Sequence, residues 1–247
     1  KDMSIPEAKR LVRGSGMRTY LSLRLSRGVD RDEWLTQYRA SGKKAWASPL
    51  LDRSVRTPAN PYPLDIPGFS EGRATHQSES SMFVAEAFSR RWKGEPLLDM
   101  CCGRGIKTGQ LADMVPEAEI EAWDISEGRI RAAEYEMIRM RIRDRVKFRC
   151  GDSLSLVPST EPKAILLDAP CTGSGTWGRH PESKWRITPE MVTEAADLQR
   201  KLLERAVSLV APGGVVAYST CSMFREENEK VVAAVMARHP ELTEAPV

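Results

Sequence analysis

From Pro96 onward the chain alternates short apolar runs with longer amphipathic stretches, and this rhythm constrains the fold more than anything else in the sequence. Residues 97–101, 119–123, 146–150, 163–168 and 215–218 read as strands, and 107–114, 127–140, 189–210 and 226–238 read as helices. Strands that are apolar along their whole length belong in a parallel sheet buried on both faces. The alternation therefore predicts an α/β fold, a Rossmann-like parallel sheet with helices on both faces. Pro212-Gly213-Gly214 ends the long helix and turns the chain into the last strand, as a glycine-rich carboxyl cap does.

Residues 1–56 have a different character, basic and with apolar positions at irregular helical spacing (Leu11, Val12, Leu21, Leu23, Leu25, Trp34, Leu35, Tyr38), and are expected to form a mainly helical accessory region. Residues 57–74, with Pro58, Pro61, Pro63, Pro67 and Gly68, exclude a long helix or a central strand and read as a linker or a surface-hugging loop. Residues 78–92 read as a helix leading into a third region, 75–247, which holds the alternating pattern.

Two motifs at strand ends carry the chemistry. Cys171 lies in Asp168-Ala169-Pro170-Cys171-Thr172-Gly173-Ser174-Gly175 and Cys221 in Tyr218-Ser219-Thr220-Cys221-Ser222, each after an apolar strand of the same predicted sheet. The carboxyl edge of such a sheet is where ligands bind. A thiolate attacks electron-poor carbon, and a second thiol beside an acid serves the later proton transfers. A free cysteine is more often a small buried apolar residue, but two after two strands of one sheet favour a shared site.

The first strand, 97–101, leads into Cys101-Cys102-Gly103-Arg104-Gly105-Ile106-Lys107-Thr108, a glycine turn at a helix start whose free amides suit a ligand. The third glycine of a dinucleotide fingerprint is replaced by Thr108, and no P-loop is present. Asp124 closes the second strand, placed for ribose hydroxyls, and Asp152 follows the third, placed for an adenine amino group. An adenosine-bearing ligand without phosphates is the expectation, which points to S-adenosylmethionine. Each aspartate could instead cap the helix that follows it.

The net charge of +3 is mild, yet cations cluster in two stretches. One holds Lys9, Arg10, Arg13, Arg18, Arg24, Arg27, Lys43, Lys44, Arg53 and Arg56, the other Arg139, Arg141, Arg143, Arg145, Lys147 and Arg149. Such faces attract phosphate backbones, and Tyr20, Trp34, Tyr38 and Trp46 could stack on bases, so RNA is the expected partner. The alternative is a solvated helix face. Five cysteines without framework spacing argue for reduced thiols, the scattered His76, His180 and His239 predict no metal site, and no apolar run is long enough to span a bilayer. A cytoplasmic location is the default expectation, and the oligomeric state is not read.

With these residues assembled, the chain resembles the Nop/Sun-type RNA cytosine-5 methyltransferases over roughly 68–240. The resemblance rests on the two cysteine motifs, on Glu227-Asn228-Glu229, on Pro181-Glu182 to Trp185-Arg186 with Gln199, and on Gln77 and Ser81 upstream. It implies a class I methyltransferase fold acting on rRNA or tRNA with S-adenosylmethionine. Cys221 would be the nucleophile toward cytosine carbon 6, Asp168 would hold the cytosine edge, and Cys171 would assist loss of the carbon-5 proton. Lys107 would sit between the cofactor turn and Asp168, and Arg129, near Asp124, would help orient the cofactor. Arg104 and Ile106 replace a proline and a glycine of the family's first motif, which predicts a differently shaped turn. The family's sheet continues into a carboxyl-terminal hairpin whereas this chain stops at Val247 and begins at Lys1, so a fragment is expected. Two other readings stay open: a catalytically idle RNA-binding assembly factor, and a methyltransferase on DNA cytosine, where Cys171 would be the nucleophile, or on a small molecule.

Overall fold

The computed structural model describes residues 4–15, 20–58, 61–92 and 94–245. The chain first forms α1 (Ile5–Ser15), β1 (Leu21–Leu25), α2 (Arg31–Ala40), β2 (Trp46–Ala47), β3 (Ser54–Thr57) and β4 (Ala74–His76). The four strands make an antiparallel sheet in the order β2-β3-β1-β4. Within residues 1–56 the described part thus carries the two helices α1 and α2, and beside them three strands that the apolar spacing does not predict. Leu21-Ser22-Leu23-Arg24-Leu25 has the two-residue period of a strand. It pairs on both sides, placing Leu23 opposite Val55 and His76. Paired on both sides, this strand buries even its polar Arg24.

The small core of this sheet holds Leu23, Leu25, Trp34, Leu35, Tyr38, Val55, Ile66 and Ala74. The proline-rich stretch hugs it: Ile66 is buried in the core, Phe69 packs against it, and Trp34 Nε1 donates to Pro67 O at 2.8 Å. Asp30 caps α2 by accepting from Glu33 N at 2.8 Å.

After α3 (Glu79–Ser89) come β5 (Leu97–Asp99), α4 (Ile106–Met114), β6 (Ile120–Asp124), α5 (Glu127–Arg139), β7 (Val146–Cys150) and β8 (Ala164–Asp168). The remaining elements are α6 (Pro189–Leu209), β9 (Val215–Ser219) and α7 (Glu229–Met236). Strand order is β7-β6-β5-β8-β9, and the pairs β5–β6, β5–β8 and β6–β7 are parallel. Leu97, Ile120, Ala122, Val146 and Leu166 pack with Ala85, Phe88, Leu111, Ile130 and Met137 from α3, α4 and α5. Leu98, Ile165 and Leu167, the alternate positions, are buried too. Both faces of the sheet are thus covered, which is why its strands read as continuous apolar runs. No helix among the described residues is long and apolar enough to cross a membrane.

The chain divides into two compact units. One comprises Tyr20–Asp168 with Arg205–Ala217; the other comprises Ala169–Glu204, the segment from Tyr218 onward, and the amino-terminal stretch with α1. In the first unit β6 leaves β5 on one side and β8 pairs with it on the other, so the carboxyl end of β5 is the switch point of the sheet. Gly105 caps α4 there with φ +72°, and a Cβ at this position would lie 2.9 Å from Ala133 Cβ. Gly105→Ala is expected to destabilise the fold by about 2 kcal/mol or more, from left-handed strain and the clash together. At Gly103, φ +58°, a Cβ would meet open space, so Gly103→Ala should cost about 1–2 kcal/mol from strain alone. Urea unfolding of the two variants measures the difference.

Candidate active site

The switch point opens into a cleft of about 190 Å³ lined by Ser81, Asp99, Cys101, Cys102, Gly103, Arg104, Ile106, Lys107 and Asp168. Six of these are the turn residues singled out from sequence, 101–104, 106 and 107; the seventh of that run, Gly105, lies behind them against Ala133. Lys107 Nζ meets Asp168 Oδ2 at 2.5 Å, so the first turn of α4 and the end of β8 are joined across the cleft. A larger hollow of about 570 Å³ lies at the other end of the sheet, where Ile120 and Val146 begin β6 and β7. It is far from the strand ends that carry the motifs, and the smaller cleft is the candidate.

Asp99, which ends β5, is the cleft residue that sequence reasoning passed over. Its Oδ2 accepts from Thr108 Oγ1 at 2.7 Å, while Oδ1 is buried with no hydrogen-bond partner. Burial is the main reason its carboxyl is pushed up to about 7; the Thr108 bond opposes that shift and the Asp168 charge adds to it. Burial also pushes the Cys101 thiol up to about 12 and raises Cys102 as well, so both line the cleft as neutral, nearly apolar groups. A sequence signal for Asp99 existed: it is an acid at the end of a buried strand just before a glycine turn.

The two aspartates assigned to the adenosine end lie outside the lining of the cleft. Asp124 is buried, its Oδ2 accepting from Gly103 N and its Oδ1 from Ser126 N, both at 2.9 Å. It braces the glycine turn from behind, with Arg129 Nη1 3.7 Å from Oδ1. Asp152 is exposed and accepts from Leu154 N at 2.9 Å, the local capping duty open to it from the start. Gln77, upstream, is buried between Arg24 Nε at 2.7 Å and Gln110 Oε1 at 2.5 Å.

The second unit holds the thiols. Cys171 Sγ and Cys221 Sγ stand 3.2 Å apart and no disulfide joins them. The contact with Cys221, then burial, raises Cys171 well above an ordinary thiol. Gly175 N donates to Cys221 O at 2.8 Å, and a Cβ on Gly175 would sit 2.7 Å from that oxygen. Only glycine allows this approach. Glu227, named in the sequence only as part of a motif, is wholly buried beside the two cysteine loops.

Part of each basic cluster is spent on internal contacts, while Lys9, Arg10, Arg13, Arg27 and Lys44 of the first stretch are exposed. Arg24 is buried against Gln77 and Asp113, Arg53 pairs with Asp113 and Arg56 with Glu79. In the second stretch Arg143 pairs with Glu134, Arg149 with Glu121, and Arg139 with Glu136 while covering the Phe69 ring. Trp34 and Tyr38 stack on each other inside the small core and are closed to nucleobases; the amphipathic face of α2 needs them there. Arg18 lies outside the described residues. Tyr20 is exposed and meets Trp46 edge to face, and Trp185 is 89 % exposed, next to Lys184 and Arg186 in the unit that holds the thiols. Among the described residues no group of His, Cys, Asp or Glu is placed to hold a metal ion.

Residues 90–247 match the family model described as 16S rRNA methyltransferase RsmB/F. The chain belongs to the RsmB/F family. Ribosomal RNA small subunit methyltransferase B of Klebsiella pneumoniae subsp. pneumoniae is 33 % identical over 94 % of this chain and 54 % of its own length. The protein of the same description from Salmonella typhi is 34 % identical, with 94 % and 54 % covered. The chain thus spans about half the length of these curated relatives. A solved methyltransferase homologue from Pyrococcus horikoshii is 28 % identical with a TM-score of 0.78, covering 93 % of this chain and 73 % of that one. Across the RsmB/F match lie the cleft residues from Asp99 onward and both thiols, which the sequence alone had already grouped as Nop/Sun-type.

Proposed function

We propose that this chain is the transferase part of an S-adenosylmethionine-dependent RNA methyltransferase that methylates carbon 5 of a cytosine in ribosomal RNA through a covalent bond to Cys221. The observation that carries the proposal is the 3.2 Å pair of thiols in a chain of the RsmB/F family. Residues 75–247 carry the chemistry, and 1–56 form an accessory region.

The cleft fits the cofactor in three respects: a buried carboxylate oxygen without a partner at Asp99, open space over Gly103, and the free amides at the start of α4. Asp99 offers that oxygen to the cofactor's cationic amino group, residues 101–107 shape the wall, and Asp124 with Arg129 steadies the turn. Asp152 is assigned to the adenine edge from its sequence position after β7 alone. Bound S-adenosylmethionine supplies an electrophilic methyl group.

Cys221 Sγ adds to carbon 6 of the cytosine, which makes carbon 5 nucleophilic. Asp168, held by Lys107, binds the ring nitrogen and amino edge and stabilises the charge that develops during attack. Once carbon 5 carries the methyl, Cys171 assists removal of the carbon-5 proton and Cys221 leaves. Attack on a ring carbon requires an unstacked base, so the target is a single-stranded or flipped-out cytosine. Trp185 with Lys184 and Arg186 suits stacking and phosphate contact with such a strand. Incubating the protein with labelled S-adenosylmethionine and ribosomal RNA, then identifying the labelled nucleoside, tests the proposal: 5-methylcytidine supports it and any other labelled product refutes it.

The Asp99 assignment predicts a pH dependence. Its carboxyl is protonated below about 7, and a cationic amino group favours the ionised form. Affinity for the cofactor should therefore rise with pH up to about 7 and level off above it, with up to about a tenfold loss per pH unit on the acid side. Calorimetric titration between about pH 5.5 and 7.5 measures this. In Asp99→Asn the binding should be weaker and flat across that window.

A further inference from the structure

Glu227 is fully buried, and its hydrogen bonds converge on the two loops that carry the thiols. Its Oε1 accepts from Thr172 N at 2.8 Å and from Gln199 Nε2 at 3.0 Å. Its Oε2 accepts from Thr172 Oγ1 at 2.5 Å and from Ser222 Oγ. Thr172 directly follows Cys171, and Ser222 directly follows Cys221. Gln199 Nε2 also donates to Pro170 O at 2.9 Å, on the other side of Cys171. The backbone of Glu227 adds a further tie, its carbonyl accepting from Tyr218 OH at 2.6 Å. One carboxylate thus brackets Cys171 from both neighbours and reaches the neighbour of Cys221.

A buried carboxylate is costly and persists where several donors surround it. If helix capping were the duty of Glu227, solvent-facing oxygens at the start of α7 would serve, and the adjacent Glu229 already lies in the first turn. The donors that Glu227 collects come from the cysteine loops instead. We propose that Glu227 is the positioning residue that fixes the spacing of Cys171 and Cys221. Its kinetic consequence rests on the two-thiol reading above; its geometric consequence does not.

Two readouts separate these. The first is the equilibrium of the intact protein with glutathione, in which one S–S bond of glutathione disulfide breaks, one forms between Cys171 and Cys221, and the two thiol protons pass to two glutathione molecules. Mass spectrometry of the linked peptides gives the effective concentration of the pair. The second is the split of kcat and KM for methyl transfer. In Glu227→Ala the effective concentration should fall about tenfold or more, and kcat about 100-fold with KM for RNA within about threefold, the effect of a misplaced reacting group. Glu227→Gln can keep all four side-chain partners, because the Thr172 and Ser222 hydroxyls can turn to accept from the amide. It should restore both quantities to within about threefold of the unmodified protein. Should Glu227→Ala fail to fold, Thr172→Val combined with Ser222→Ala removes both hydroxyl tethers at nearly constant volume, with the same expected losses.

Thiol pairing and kcat that survive the loss of these bonds, with a lowered melting temperature alone, would overturn the proposal, as would Glu227→Gln behaving like Glu227→Ala. If the unmodified protein transfers no methyl to RNA, the reading of the function fails while the glutathione equilibrium still decides the role of Glu227.

Discussion

Cys221→Ala is expected to abolish methyl transfer, whereas Cys171→Ala should leave protein joined to RNA in a complex that survives denaturation. In the proposed mechanism the sulfur of Cys221 forms the bond that activates carbon 5, and loss of a nucleophile costs on the order of 10⁴-fold or more in rate. Cys171 acts after the methyl has arrived. The contact with Cys221, then burial, raises its thiol above an ordinary one. Without it the carbon-5 proton stays and Cys221 cannot leave. Gel mobility of labelled RNA after denaturation reads both outcomes. If the roles are exchanged, as in the DNA-type arrangement, Cys171→Ala abolishes all labelling and Cys221→Ala retains the adduct.

The second large effect is expected at Asp168. Asp168→Ala removes both the group that binds the cytosine edge and the partner of Lys107, held at 2.5 Å. A preorganised group aimed at developing charge contributes about 10²–10³ in kcat, and Asp168→Ala should lose at least that much with cofactor affinity nearly unchanged. Asp168→Asn keeps the shape and can turn its Oδ1 to Lys107, but it has no carboxyl charge or proton to offer the ring nitrogen, so it should be nearly as inactive as Asp168→Ala. Single-turnover rates beside cofactor titrations separate chemistry from binding. A loss of cofactor affinity that accounts for the whole defect would place Asp168 in cofactor binding instead.

The strands that present these groups are legible in the sequence because a sheet covered on both faces writes itself as apolar runs such as Ala164-Ile165-Leu166-Leu167. The helix-stop of Pro212-Gly213-Gly214 likewise marks the entry to β9. The amino-terminal sheet is not legible in the same way. Arg24 sits mid-strand between two partners, its charge answered by Asp113 and Gln77 far along the chain, and only long-range contacts explain it. Several basic residues counted as an RNA-facing surface, Arg53, Arg56, Arg143 and Arg149 among them, are ion-paired within the fold, since a sequence reports charge but not its partner.

The site divides along the same line. The thiol motifs follow from strand-end positions, which local pattern reveals, while the pairing of Lys107 with Asp168 is implied by the resemblance alone. Asp99 and Glu227 matter through burial and unmet or converging hydrogen bonds, which only the packed structure displays. Asp152 and Asp124 show the opposite case: strand-end acids whose visible bonds are to nearby backbone amides.

The most direct test of the two-thiol account is to present ribosomal RNA containing 5-fluorocytidine with S-adenosylmethionine and to map the trapped protein by peptide mass spectrometry. Fluorine at carbon 5 cannot leave as a proton does, so the covalent intermediate accumulates. The account predicts a cross-link carried by Cys221 alone; a cross-link on Cys171, or methylated RNA released with no trapped protein, would contradict it.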